Sequence, residues 1–257
     1  MKPKQIVVLC VFLLLSGFCS LVYQNVWLRE FRLIFGGTNA ASATVFAIFM
    51  GGLGSGGLFF GRRSETSPNP LRLYGWLELG AAGLALASLP LLKISELLYL
   101  KSGGVFSLGF TGGTVLRLAL ATLSIGACAF FMGGNVPVAV KFFQADRDRS
   151  RRGLAILYGV NVIGAVLGTL VATFWCLENF GSKGTLIVAA IINVAIGLLA
   201  INFSKTQEAP VSSQKSFEPT GQTVSSSIQA VVLCYSFLAG FLFFVMELVW
   251  IRMLLPL

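Results

Sequence analysis

The sequence predicts an all-α fold: a polytopic transmembrane helical bundle of about seven spans, one six-helix repeat plus the start of a second. Three observations predict it. Of 257 residues 56% are apolar and only 11% charged, with a mean hydropathy of +0.83, whereas a soluble domain carries roughly a quarter charged residues. The apolar residues gather in runs that reach the roughly 20 residues a helix needs to cross about 30 Å of hydrocarbon. The basic clusters Lys2/Lys4, Arg62/Arg63 and Lys141 with Arg147 to Arg152 fall between those runs. Lipid is thus the expected partner and a soluble enzyme is excluded. Histidine is absent, which removes His-based acid–base chemistry, Ser-His-Asp triads and His metal sites. The net charge of +9 follows the positive-inside pattern of membrane loops. No basic stripe interleaved with aromatics is present, so no nucleic-acid partner is expected.

The first span, 6–28, follows Met-Lys-Pro-Lys and ends at Arg29. Its start resembles a signal peptide with Gly17-Phe18-Cys19 as a cleavage site, but the apolar run continues through Trp27 to full spanning length. An uncleaved anchor helix is therefore expected. Spans 40–60, 71–92, 115–143, 154–177 and 185–203 follow, joined by short loops. The fourth is long, and Asn135 with Pro137 marks a kink in it, because proline removes a backbone donor. Residues 93–113 mix Glu96 and Lys101 with paired glycines and read as a short surface helix and a flexible turn. Residues 204–228, with Pro210 and Pro219, read as a polar linker, and 229–257 holds the seventh span, 230–257. Domains are thus 1–203, 204–228 and 229–257. Lys and Arg counted on alternate sides divide twelve against seven, which places the N-terminus in the cytoplasm. The five cysteines lie inside apolar stretches without metal-ligand spacing and read as reduced packing residues.

An internal repeat supports the two-part division. Residues 17–31 (GFCSLVYQNVWLREF) return as 240–254 (GFLFFVMELVWIRML), identical at six of fifteen positions and 223 residues apart. Parallel repeats of six helices are one way transporters are built. The chain stops within the second copy, before the equivalent of Gly36-Gly37, so an incomplete product of a longer gene is expected.

Several blocks carry a resemblance. S-G-F-C-S-L-V-Y-Q-N-V-W-L-R-E-F (16–31), F-A-I-F-M-G-G-L-G-S-G-G (46–57), L-Y-G-W-L-E-L-G (73–80), L-Y-G-V-N-V-I-G-A-V-L-G (157–168) and F-V-M-E-L-V-W-I-R (244–252) are similar to the membrane half of bacterial spermidine synthase-like proteins. That resemblance implies a major-facilitator-like membrane region of the bacterial inner membrane, fused in the family to a soluble aminopropyltransferase. It departs at Gln24, where the family's first repeat commonly has Glu; Glu247 keeps the acid in the second. The family's catalytic α/β domain, which binds decarboxylated S-adenosylmethionine and a diamine, has no counterpart in these residues. No catalytic residue and no cofactor is therefore assigned to this chain. The implied roles are a module that anchors or feeds an aminopropyltransferase or, alternatively, a secondary transporter of a small cationic solute.

Five residues stand out as intramembrane polar or substrate-path positions: Glu78, Glu247, Asn161, Arg29 and Arg252. An ionised side chain at a helix centre costs on the order of 2.5–3.5 kcal/mol, so Glu78 and Glu247 should face the bundle or a watery cavity. They read either as a cation path or as structural acids, paired with Arg29, Arg117 or Arg252 or simply protonated and hydrogen-bonded. Arg29 and Arg252, with Trp27 and Trp250, read as interfacial anchors. Tyr158, Asn161, Gly164 and Gly168 form a small, polar stripe that should pack on another helix, with Asn161 hydrogen-bonding across. Gly52-Leu-Gly54-Ser-Gly56-Gly57 mimics a dinucleotide fingerprint, but no strand precedes it, so close helix packing is expected. Asp146-Arg-Asp148-Arg reads as a solvated loop.

Overall fold

A computed structural model describes residues 3–37, 39–144, 151–206 and 226–254, and all elements in them are helical. They are α1 (Pro3–Phe35), α2 (Asn39–Glu65), α3 (Pro70–Lys101), α4 (Gly104–Ala121), α5 (Ala127–Gly133), α6 (Asn135–Gln144), α7 (Arg151–Val171), α8 (Leu177–Thr206) and α9 (Ser226–Leu254). π-Helical turns, Thr122–Gly126 and Ala172–Cys176, join α4 to α5 and α7 to α8. Five stretches are long and apolar enough to cross a membrane. Outward-facing Leu58, Trp76, Phe106, Phe174 and Ile191 are all more than half exposed, a density of exposed apolar surface that water does not tolerate. The chain is a multi-pass integral membrane protein.

The helix ends follow local chemistry. Asn69-Pro70 starts α3: Asn69 Oδ1 accepts from the Arg72 amide at 3.1 Å, and Pro70 occupies a position whose donor would be orphaned anyway. Several boundaries differ from expectation. α1 does not end at Arg29 but continues to Phe35, because Phe31 and Phe35 keep the buried stripe begun by Tyr23 and Trp27. Residues 93–101 are no separate surface helix: they complete α3, with Leu92, Ser95 and Tyr99 buried at helical spacing. The breaks come at Gly103, at φ 70°, and again inside α4 at Gly109, at φ 67°, both conformations that suit glycine. In the fourth span the interruption is the turn at Gly134, before Pro137. Pro137 falls in the first turn of α6, where its missing donor costs nothing. The 53-residue apolar stretch 153–205 would run about 80 Å if straight; Gly181, at φ 62°, divides it between the two expected spans.

Contacts divide the chain into Met1–Glu208 and Ala209–Leu257. In the first unit α7 runs parallel to α1, with Gly164 against the Leu14 carbonyl and Gly168 against that of Phe18. α5 lies parallel to α2, with Gly52 beside the Gly126 carbonyl and Gly56 against that of Phe130. A Cβ at Gly56 or Gly164 would collide with backbone, so these two glycines serve close helix packing. The two pairs share one register at a constant offset of 112 residues (14 to 126, 18 to 130, 52 to 164, 56 to 168), about half the spacing of the sequence repeat. α8 runs antiparallel to α3, where Gly75 meets Gly197 and Asn69 Nδ2 donates to Ser204 Oγ at 3.1 Å. It is antiparallel to α1 as well, through Phe12–Phe203 and Cys19–Ala189. The core runs along α1, through Phe12, Tyr23, Trp27 and Phe31.

In the second unit α9 is a 29-residue helix whose described side chains from Ala230 to Leu242 are all exposed, with Phe237 stacked on Phe241 at 6.4 Å. Residues 207–225 of the expected linker, and Asp146 and Asp148, lie outside the described residues.

Candidate functional site

A buried polar cluster forms where α1, α3 and the α5–α6 turn meet. Each helix contributes residues by its own periodicity: Ser16, Cys19 and Tyr23 on one face of α1, and Tyr74 and Glu78 one turn apart on α3. Asn135 opens α6 directly after Gly134, so the interruption in the fourth span sets its position. Asn135 Nδ2 donates to Glu78 Oε1 at 3.0 Å and to Ser16 Oγ at 3.0 Å. One amide hydrogen serves each acceptor, so a single side chain ties three spans together.

Glu78 is fully buried, and the structure describes no ion pair to it. The Ser16 and Tyr74 hydroxyls lie within hydrogen-bonding reach of the Glu78 carboxyl, while Asn135 Oδ1 and the Tyr23 hydroxyl are buried with no described hydrogen-bond partner. Cys19, Tyr23, Tyr74 and Cys128 lie within its electrostatic reach. Cys128 Sγ bonds to the Ala81 carbonyl at 3.2 Å, one turn beyond Glu78. A single amide bond contributes about 1–3 kcal/mol, while a buried ion costs several. The described contacts leave a carboxylate here short of positive charge. Glu78 stands eight residues into α3, about 12 Å along the helix from its start.

The other expected positions spread widely. Asn161 Nδ2 crosses to the Leu13 carbonyl at 3.0 Å, and Gly164 and Gly168 are buried beside it against α1. Tyr158 leaves the stripe and is 60% exposed, because at 100° per residue it falls at least 60° from the other three. Arg29 is exposed, and Arg117 bonds Tyr99 and Phe35 instead, so neither pairs with Glu78. Trp27 is no interfacial anchor: it is fully buried, stacked on Tyr23 at 5.6 Å, with Nε1 donating to Ser88 Oγ at 3.0 Å. The side chains of Glu247, Trp250 and Arg252 lie outside those described.

Sequence reading missed Ser16, Tyr74 and Asn135 as partners of Glu78. Ser16 interrupts an apolar run at helical spacing from Cys19 and Tyr23 and Tyr74 precedes Glu78 by one turn, whereas Asn135 shows in the sequence only as part of a kink. With fold and site in view, comparison with protein-family models, curated proteins and solved structures finds no match.

Proposed function

We propose that this chain is the membrane module of a spermidine synthase-like protein, anchoring an aminopropyltransferase and feeding it a cationic polyamine, with Glu78 as the carboxylate that receives the ammonium. The observation that carries this reading is the full burial of Glu78 beside neutral donors, with no described cationic partner. An ammonium supplies the missing charge, and Tyr23 and Tyr74 add aromatic faces of the kind that attract cations. In this reading the module lies in the bacterial inner membrane with its N-terminus in the cytoplasm, the polarity favoured by the twelve-to-seven charge split. The aminopropyl transfer itself belongs to the partner domain.

The test is transfer of labelled putrescine across proteoliposomes. Glu78→Gln keeps the size and the hydrogen bond but removes the charge, and should lower transfer at least about ten-fold while leaving the melting curve in place. Unchanged transfer in a protein that moves putrescine would overturn the role of Glu78.

A stand-alone secondary transporter is the second reading. The recurrence of one helix-pair register 112 residues on favours it, since repeated three-helix units are a common transporter plan. Cross-linking in native membranes separates the two: capture of a soluble aminopropyltransferase supports the first, and transport with no such partner supports the second.

A further inference from the structure

The far end of the first unit holds a second buried charge that the reading above does not use. Arg117, on α4, is only 6% exposed. Its Nε and Nη2 donate to the Tyr99 hydroxyl at 3.2 and 2.9 Å, and Nη2 also reaches the Phe35 carbonyl at 3.3 Å. The rings of Phe35 and Tyr99 lie 5.9 and 5.7 Å from the guanidinium carbon. Phe35 ends α1, so its carbonyl belongs to the negative pole of that helix and only partly balances a full positive charge. No carboxylate pairs with Arg117 in the described structure, and Nη1, with two donors, has no described partner. Arg117 lines a cavity of about 600 Å³ whose other walls include Ile34, Leu100, Phe106 and Phe110.

We infer that this cavity binds an oxyanion carried on an apolar body, a phosphate group seated on Arg117 Nη1 with its hydrocarbon along Phe106 and Phe110. A guanidinium is the side chain best suited to phosphate, and its weak hydration lowers the cost of burying it with such a partner. Depth agrees with the assignment. The apolar stretch of α1 from Ile6 to Phe35 has 30 residues, about 45 Å of helix, which carries its end into the headgroup layer of a bilayer 40–45 Å thick overall. Phe106 and Phe110, 103% and 74% exposed, flank the mouth as apolar walls.

The phosphate has two possible sources, an anionic phospholipid or a free phosphate compound, and two probes distinguish them. Phosphatidylglycerol retained by the full chain in neutral detergent is counted by native mass spectrometry, and inorganic phosphate is titrated by calorimetry. Retention of phosphatidylglycerol that falls at least about ten-fold in Arg117→Gln supports the site with lipid as its source. Binding of inorganic phosphate with the same dependence supports the site with a free phosphate source. Phe106→Glu sets a carboxylate at the mouth on a fully exposed position, so it should weaken either probe without disturbing the fold, and it carries the test if Arg117→Gln does not fold. If neither probe binds, or binding is indifferent to both substitutions, the site is overturned.

Discussion

Glu78 and Arg117 are both more than nine-tenths buried, yet the bundle accommodates them by opposite means and in opposite places. The acid lies about 12 Å into α3, counted along the helix, and meets neutral donors. The base packs against Tyr99, and 21 residues of α3 separate that tyrosine from Glu78, about 32 Å of helix. A carboxyl needs hydrogen-bond donors, and an interior site with an amide and hydroxyls offers them without a positive charge. A guanidinium does not give up its proton in proteins, so it is held at a helix end, where a free carbonyl, a phenol and two ring faces offer partial negative charge. The two charges are therefore met by different groups: neutral donors around the acid, partial negative charge around the base.

Replacing the acid by a base breaks the comparison most severely. Glu78→Lys puts an ammonium opposite the Asn135 donor and should cost at least about 3–5 kcal/mol, read as loss of monodisperse protein in detergent. If Glu78→Lys folds normally, the cluster is open to water and the contrast collapses. Asn135→Leu removes the donor that serves both Glu78 and Ser16 and should lower stability by about 2–3 kcal/mol in thermal unfolding. Tyr99→Phe, at the other site, removes one acceptor near a cavity water can enter, and about 1 kcal/mol is expected. The smallest effect is a coupling. Glu78→Gln and Arg117→Gln should add within about 0.5 kcal/mol, because sites this far apart share no partner. A larger coupling would show that the two charges communicate.

Particular residues show how much of this could be read along the chain. Burial of Glu78 was legible, since an acid inside an apolar run has few other places to go. The packing of Asn161, Gly164 and Gly168 was legible for the same reason, as helical spacing alone puts them on one face. Trp27 was misread because a tryptophan near a basic residue looks interfacial, and only the extension of α1 to Phe35 moves it indoors. The sequence offers Arg117 as a partner of Glu78, and distance along α3 rules that out. The 112-residue register was invisible because it resides in contacts of small residues and carbonyls, which many different sequences can make.

The sequence by itself determined the solvent and the secondary structure. With no water in hydrocarbon, a long apolar segment must satisfy its own backbone, and the helix does this with hydrogen bonds a few residues apart. Tertiary structure alone decided which polar groups meet. Asn135 reaches Glu78 across 57 residues and Ser16 across 119, and those meetings depend on how each helix is rotated and shifted against its neighbours. Glycine–carbonyl contacts between helices fix that rotation, and the hydropathy of a single segment carries no record of it.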